Sequence, residues 1–411
     1  MSSRGRDTKP HVGIFGRRNV GKSSLINALV GQDIAIVSDV AGTTTDPVKK
    51  SIEVHGLGPL IFIDTAGIDD TGDLGELRIK KSMAALKLID LAILVLSENR
   101  FEEHEVRLTK ELNKLDVPYV VVHNKSDLTP VTPELREKVR SLTGKEVAEY
   151  SAMHPGKYNP ALLRMIKETM PPTAIKSRGL IGDLVKPGDT VLLITPIDIE
   201  APEGRLILPQ VQVIRDILDN DCTAIVLKER EVDAFLRRTR IRPALVITDS
   251  QVFLKADASI PRDIPLTSFS IVLARQKGDF AEYLRGTLKI GELKDSDRIL
   301  LLESCTHNVT CDDIGRVKIP RWLASFTGKK LEFDTVAGLD SFPRPIEDYA
   351  LVIQCGGCMV THRQLVNRLR DPKKHSIPVT NYGMAIAYVH GIFNRATEPF
   401  TGKKEKAGDL L

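Results

Sequence analysis

Gly16-Arg17-Arg18-Asn19-Val20-Gly21-Lys22-Ser23 is the stretch on which the fold turns. It follows a short apolar run, His11 to Phe15, and leads into a helical pattern, Ser23 to Val30. That strand, loop and helix succession is what a phosphate-binding loop requires. Its backbone amides converge on phosphate oxygens only where Gly16 and Gly21 take conformations that a side chain obstructs. Lys22 then neutralises the β and γ phosphates and Ser23 gives a hydroxyl to Mg2+. Asn19, Val20, Gly21 and Ser24 complete the expected contact set.

Outward from this loop, the runs Leu60 to Ile63, Leu91 to Leu96 and Tyr119 to Val122 are short, β-branched and continuous, the pattern of strands buried on both faces. Helical stretches such as Leu77 to Leu88 and His104 to Leu115 lie between them. The alternation predicts a parallel sheet with helices on either side. Three further motifs each follow a strand. Asp64-Thr65-Ala66-Gly67 offers Asp64 to Mg2+ through water and the Gly67 amide to the γ-phosphate. Asn124-Lys125-Ser126-Asp127 carries a carboxylate that is acceptor-only when ionised, so Asp127 pairs with the two donors on the guanine edge. A site built on such donors rejects the wrong base far better than an apolar pocket does. Ser151-Ala152 fits a fifth guanine-binding element. With the phosphate loop these make four elements in the expected order, each after a strand, and the Asp127 carboxylate makes the expected nucleotide GTP and not ATP.

The chain has 411 residues, 42% hydrophobic and 27% charged, with a formal net charge of +4. That length predicts two or three domains, each able to bury a core. The small net charge gives no argument for nucleic acid, and no apolar run reaches the length of a membrane span. With a short polar N-terminus and no h-region, the cytoplasm is the expected compartment. Pro171 and Pro172 end the first block, and the proline-punctuated stretch Pro261 to Pro265 ends the second. The expected fold class is therefore α/β: a P-loop GTPase domain over 8–172, then two smaller α/β domains with mainly parallel sheets, over 173–262 and 263–411. The middle block has strand candidates at Val191 to Ile194, Thr223 to Leu227 and Ala244 to Thr248 and no catalytic constellation, so it reads as an oligomerisation module. The last block has strand candidates at Ser270 to Leu273, Ile299 to Leu302 and Tyr349 to Ile353.

The nucleotide motifs resemble those of translation-factor-related GTPases of the TrmE and Era type, whose switch loop has a motif like Gly42-Thr43-Thr44. The resemblance implies that Thr44, or else Thr43, completes the Mg2+ shell. It also implies that Asn19 binds an activating K+ ion and that Glu76, placed like that family's glutamate beyond the aspartate, orients water. Ile68 stands where Ras-like proteins have their water-orienting glutamine nearby, so the intrinsic GTP hydrolysis is expected to be slow. Lys22, Thr44 and Glu76 are the candidate catalytic residues.

Four of the five cysteines fall in the last block. Cys305-Thr306-His307 and Cys355-Gly356-Gly357-Cys358 each follow a strand, at the carboxyl edge where open α/β sheets build their sites. The two glycines let both sulfurs turn to one metal, and a helix starting near Met359 or Thr361 is expected to lower the thiol pKa values. Zinc, an iron-sulfur cluster and a redox disulfide all fit this spacing. Cys311 and Asp312 are spare ligand candidates; Cys222 reads as a buried small apolar residue.

A TrmE-like GTPase followed by Cys-x-His and, after 308–354, by Cys-x-x-Cys resembles the HydF family of FeFe-hydrogenase maturation GTPases over essentially the whole chain. The resemblance implies a 4Fe-4S cluster on Cys305, Cys355 and Cys358, with an exchangeable fourth position that His307 can fill. It further implies a homodimer through the middle domain and a transient 2Fe subcluster precursor delivered to the apo FeFe-hydrogenase. The radical-SAM maturation enzymes HydE and HydG are the remaining expected partners. The rival expectation is an RNA-modification or ribosome-assembly GTPase with a structural zinc site.

Overall fold

The computed structural model describes residues 9–30, 37–38, 48–54, 58–65, 67–68, 82–175, 179–196, 206–304, 313–338 and 340–402. The chain divides into two compact units, Thr8–Ser177 and Arg178–Leu411. No helix among the described residues is long and apolar enough to cross a membrane.

The first unit is a seven-stranded sheet made of β1 (His11–Gly16), β2 (Val37–Ser38), β3 (Val48–Val54), β4 (Gly58–Asp64), β5 (Leu91–Leu96), β6 (Tyr119–His123) and β7 (Val147–Glu149). The strand order is β2-β3-β4-β1-β5-β6-β7. The β2-β3 and β3-β4 pairs are antiparallel and all the others parallel. Period-two alternation divides the central strands between two cores. Val12, Ile14, Ile93 and Val95 face one, with Leu25 and Ile26 of the helix Lys22–Val30. Phe15, Ala92, Leu94 and Leu96 face the other, with Leu108 and Leu112 of the helix Glu103–Lys114. Every residue of β1 and β5 is buried, which explains why both read as unbroken apolar runs.

The second unit contains two four-stranded sheets, parallel throughout. One is β8 (Thr190–Ile194), β9 (Thr223–Leu227), β10 (Leu245–Thr248) and β11 (Leu266–Ser268), in the order β11-β10-β8-β9. The other is β12 (Arg298–Leu302), β13 (Glu332–Val336), β14 (Leu351–Gln354) and β15 (Val379–Asn381), in the order β13-β12-β14-β15. The two sheets therefore share one topology. In each, the chain adds its second strand on one side of the first, then crosses back to place the third and fourth on the other side. One hydrophobic core joins them, with Leu192, Val246 and Leu266 of the former and Leu300, Val352 and Val379 of the latter in a single cluster.

The segment expected as a strand at Ser270 to Leu273 is a helix, Phe269–Lys277. Ser268 starts it, its hydroxyl accepting from the Ile271 amide at 3.3 Å. Phe269, Ile271, Val272, Leu273, Ala274 and Lys277 are buried and Ser270, Arg275 and Gln276 half-buried, so burial runs round the helix and leaves no one-sided apolar stripe. The middle sheet takes its last strand, β11, from residues beyond 262.

Candidate functional site

The phosphate loop joins β1 to the helix Lys22–Val30, as the octapeptide predicts. Gly21 has φ +87°, and a Cβ on it would run into Nδ2 of Asn124; one on Gly16 would meet the Val95 carbonyl. Asn19 is exposed in a left-handed turn with φ 59°, a conformation asparagine tolerates better than most side chains. The Lys22 ammonium folds back onto the loop, donating to the carbonyls of Gly16 at 3.1 Å and Arg17 at 2.8 Å. At the end of β4, Ser23 Oγ lies 2.5 Å from Asp64 Oδ2. The other carboxylate oxygen, Asp64 Oδ1, is buried without a hydrogen-bond partner among the described residues. A hydroxyl beside a carboxylate with one idle oxygen is a donor set suited to Mg2+ and its waters. The Gly67 segment reaches the same loop, with the Ile68 amide donating to the Gly16 carbonyl at 3.3 Å. Gly42, Thr43, Thr44, Ala66 and Glu76 lie outside the described residues.

The residues expected to read the base meet at the ends of β6 and β7. The Tyr150 amide donates to the His123 carbonyl at 2.8 Å, and the Ser126 amide to the Tyr150 carbonyl at 3.0 Å. This knits Asn124-Lys125-Ser126-Asp127 to Ser151-Ala152, and Ser151 Oγ donates to Asp127 Oδ1 at 2.5 Å. That hydrogen bond, more than any other contact, holds the Asp127 carboxyl below its ordinary range, so it stays acceptor-only. Asn124 Nδ2 donates to the Val20 carbonyl at 2.9 Å.

One part of this site has no motif to announce it. Arg17, within the phosphate loop, forms a two-pronged ion pair with Glu105 at 2.7 Å and 3.0 Å and reaches Glu102 at 3.0 Å. Glu105 is only 1% exposed. Burial alone would raise its pKa; the Arg17 hydrogen bonds and an amide bond from Glu102 outweigh that and bring it below the usual carboxylate value.

The second cluster of motifs lies at the carboxyl edge of the last sheet. β12 and β14 are neighbours there, and the crossover between them is the point where strand order reverses, the place where open α/β sheets take their ligands. Cys355 and Cys358 follow β14, and Ser304 follows β12. The Ser304 amide donates to Cys355 Sγ at 3.1 Å, and its Oγ lies 3.0 Å from that sulfur. Gln354 Nε2 stands 3.4 Å away. Ser304 is the covalent neighbour of Cys305 in the sequence. Cys305, His307, Cys311 and Asp312 themselves lie outside the described residues. Among the described residues no group of three or more metal-ligating side chains occurs.

Gly357 has φ +68°, and a Cβ there would stand 2.7 Å from Leu365 Cδ1, so the bend between the cysteines needs its glycine. The helix expected after the pair is His362–Arg368, closed by a capping box between Thr361 and Gln364. Its expected acidifying effect does not prevail at Cys358, where burial pushes the thiol up to about 11. Cys222 is buried, 6% exposed, as its apolar reading predicts.

Two buried cations flank this edge, and sequence gave no sign of either. Lys277, 6% exposed, donates to the carbonyls of Gly357 at 2.8 Å, Val360 at 3.1 Å and Cys358 at 3.4 Å. Arg368, 9% exposed, donates to the carbonyls of Glu303 at 2.6 Å, just past the end of β12, and of Val336 at 2.7 Å, the last residue of β13.

Comparison with known proteins divides along the same lines. Residues 180–278 match the family described as hydrogen maturase F dimerization domain, and residues 281–399 the hydrogen maturase F tetramerization domain. Residues 11–125 match the 50S ribosome-binding GTPase family. The tRNA modification GTPase MnmE of Nitrosomonas europaea is 42% identical over 133 residues, 32% of this chain and 29% of that protein. The Bacillus subtilis MnmE is 41% identical over 143 residues, 34% of this chain and 30% of that protein. The chain thus spans less than a third of the length of these curated relatives. Among solved structures, Aquifex aeolicus Era bound to GDP.AlF4- is 21% identical, covering 55% of this chain and 97% of that one, with a TM-score of 0.33.

Proposed function

The chain belongs to the hydrogen maturase F family, and from that premise we propose that it is a cytoplasmic GTP-hydrolysing scaffold for assembling or delivering the diiron part of the FeFe-hydrogenase active site. In this reading 8–172 binds and slowly hydrolyses GTP with Mg2+ and K+, 173–262 pairs two copies, and 263–411 carries a 4Fe-4S cluster. The guanine-reading cluster at Asp127 and Ser151 supports the nucleotide half. The family matches to dimerization and tetramerization domains support self-association. An edge strand fits this, since β9 ends its sheet and Val226 on it is 41% exposed.

The observation that carries the cluster half is the hydrogen-bond donation to Cys355 Sγ by Ser304 and Gln354 at the β12-β14 crossover. Ligating thiolates accept such bonds, and they tune the metal. Cys305, Cys355 and Cys358 would supply the three thiolates of the cluster, and the fourth position, open to His307, would exchange. The cluster itself would supply an iron with a replaceable ligand, where the 2Fe precursor docks. The apo FeFe-hydrogenase, HydE and HydG are the proposed partners. GTP hydrolysis would be regulatory, the nucleotide state biasing partner contacts through the segments around Thr44 and Gly67.

Iron and sulfide analysis of protein purified without oxygen tests the reading. About four irons per chain, lost in Cys305→Ala, Cys355→Ala and Cys358→Ala while GTP turnover persists, is the expected result. One zinc and no iron would leave the cysteines structural and remove the carrier.

A further inference from the structure

A buried ammonium is costly unless something balances it. Lys277 uses its three donors on three backbone carbonyls, of Gly357, Cys358 and Val360, and among the described residues it forms no ion pair with a carboxylate. Carbonyl dipoles satisfy its hydrogen bonds without cancelling its charge. The acidic groups that bear on it are the thiols of Cys358 and Cys355. Arg368 repeats the pattern on the other flank. Its guanidinium also ends on carbonyls, its Nε is buried without a partner among the described residues, and Cys355 leads the acidic groups acting on it, ahead of Tyr382, Asp340 and Glu303. Two desolvated cations held by backbone oxygen, with thiols between them, describe a socket for negative charge.

We propose that Lys277 is a positioning residue for the Cys355-Gly356-Gly357-Cys358 loop, pinning its backbone by three hydrogen bonds and balancing the thiolate charge that metal binding creates. The placement is independent of the local sequence. Lys277 ends the helix that follows β11, some 80 positions before the loop it holds. His362 strengthens the grip, its Nδ1 lying 2.6 Å from the Lys277 carbonyl. Arg368 anchors the ends of β12 and β13 and adds a second fixed positive charge. A cluster bearing three thiolates is anionic, and its reduced form is more so. The nearby ammonium therefore favours both retention of the metal and the reduced state.

The proposal rests on the cluster reading, and the experiment separates the two. Parent protein, Lys277→Met, Lys277→Gln and Lys277→Arg are reconstituted with iron and sulfide without oxygen. Iron content, the rate of iron loss to a chelator and the midpoint potential are then measured, with thermal unfolding of the apo proteins as the folding control. Lys277→Met and Lys277→Gln should lose iron roughly tenfold faster, as outer-shell changes do, and titrate at a more negative potential. Lys277→Arg, which keeps the charge, should stay near the parent. Should Lys277→Met fail to fold, Lys277→Gln, which retains donors but no charge, decides alone. An unchanged potential and an unchanged iron-loss rate in the neutral variants would overturn the assignment. If the parent takes up no iron, the cluster reading fails by itself. Co2+ affinity, read from thiolate charge-transfer absorption, then tests Lys277 directly: weaker binding in the neutral variants supports it, equal binding or none at all in the parent overturns it.

Discussion

Asn124 Nδ2 donates to the Val20 carbonyl at 2.9 Å, fastening the Asn124–Asp127 segment to the phosphate loop. The same nitrogen occupies the space that a Cβ on Gly21 would need. Gly21→Ala therefore damages both halves of the nucleotide site at once, since alanine at φ +87° is strained before any clash is counted. Strain of about 1–3 kcal/mol corresponds to a loss of roughly tenfold to hundredfold in nucleotide affinity. Fluorescent-nucleotide titration should show it with the far-UV circular dichroism unchanged.

Asp127→Asn replaces an acceptor-only group with one that also donates. GTP affinity should fall by roughly a hundredfold, because two hydrogen bonds to a charged acceptor are lost or inverted. A triphosphate whose base carries an oxygen in place of the guanine amino group should regain much of it, and ATP should not. Competition binding with the three nucleotides distinguishes a specificity change from general damage.

Arg17→Met tests the ion pair that sequence did not announce. Breaking it leaves Glu105 buried beside an apolar side chain, at a cost of about 3 kcal/mol, the low end for a broken buried pair because Arg17 is itself 18% exposed. The sign of the pH dependence follows. In the parent, the folded pKa of Glu105 is depressed, so its contribution is present above the unfolded value and is lost as pH falls through the folded one. In the variant, burial raises that pKa, so protonation relieves the unpaired charge earlier. The stability gap should be full at neutral pH and narrow on acidification. Denaturant unfolding of the two proteins at several pH values measures it.

The GTPase fold is legible in the sequence because its motifs are contiguous, each placed directly after a strand. The strands themselves were legible because burial on both faces makes β1 and β5 continuous apolar runs. The helix Phe269–Lys277 reads as a strand for a related reason: burial spread around it leaves no exposed polar stripe to mark a helical period. Glu105, Lys277 and Arg368 stayed hidden because their partners lie far off in sequence, with 88 positions between Arg17 and Glu105. In the sequence each is an ordinary helical charge, and only tertiary packing removes it from water.

Val226→Lys probes self-association. Placing a charge on the exposed edge strand β9 discourages edge pairing with little effect on the fold, because the side chain already faces solvent. Sedimentation equilibrium should show a shift to smaller species, while the thermal midpoint of the diluted protein stays near that of the parent.

The single core running from Leu192 through Val352 to Ala396 has a mechanical consequence. The edge strand β9 and the cysteine-bearing loop lie in one compact unit built on that shared core. If two copies join along Thr223–Leu227, their sulfur sites are set apart by a fixed span, like the jaws of a gauge. Cargo exchanged between them, or with a third protein, must then fit that gap as it stands.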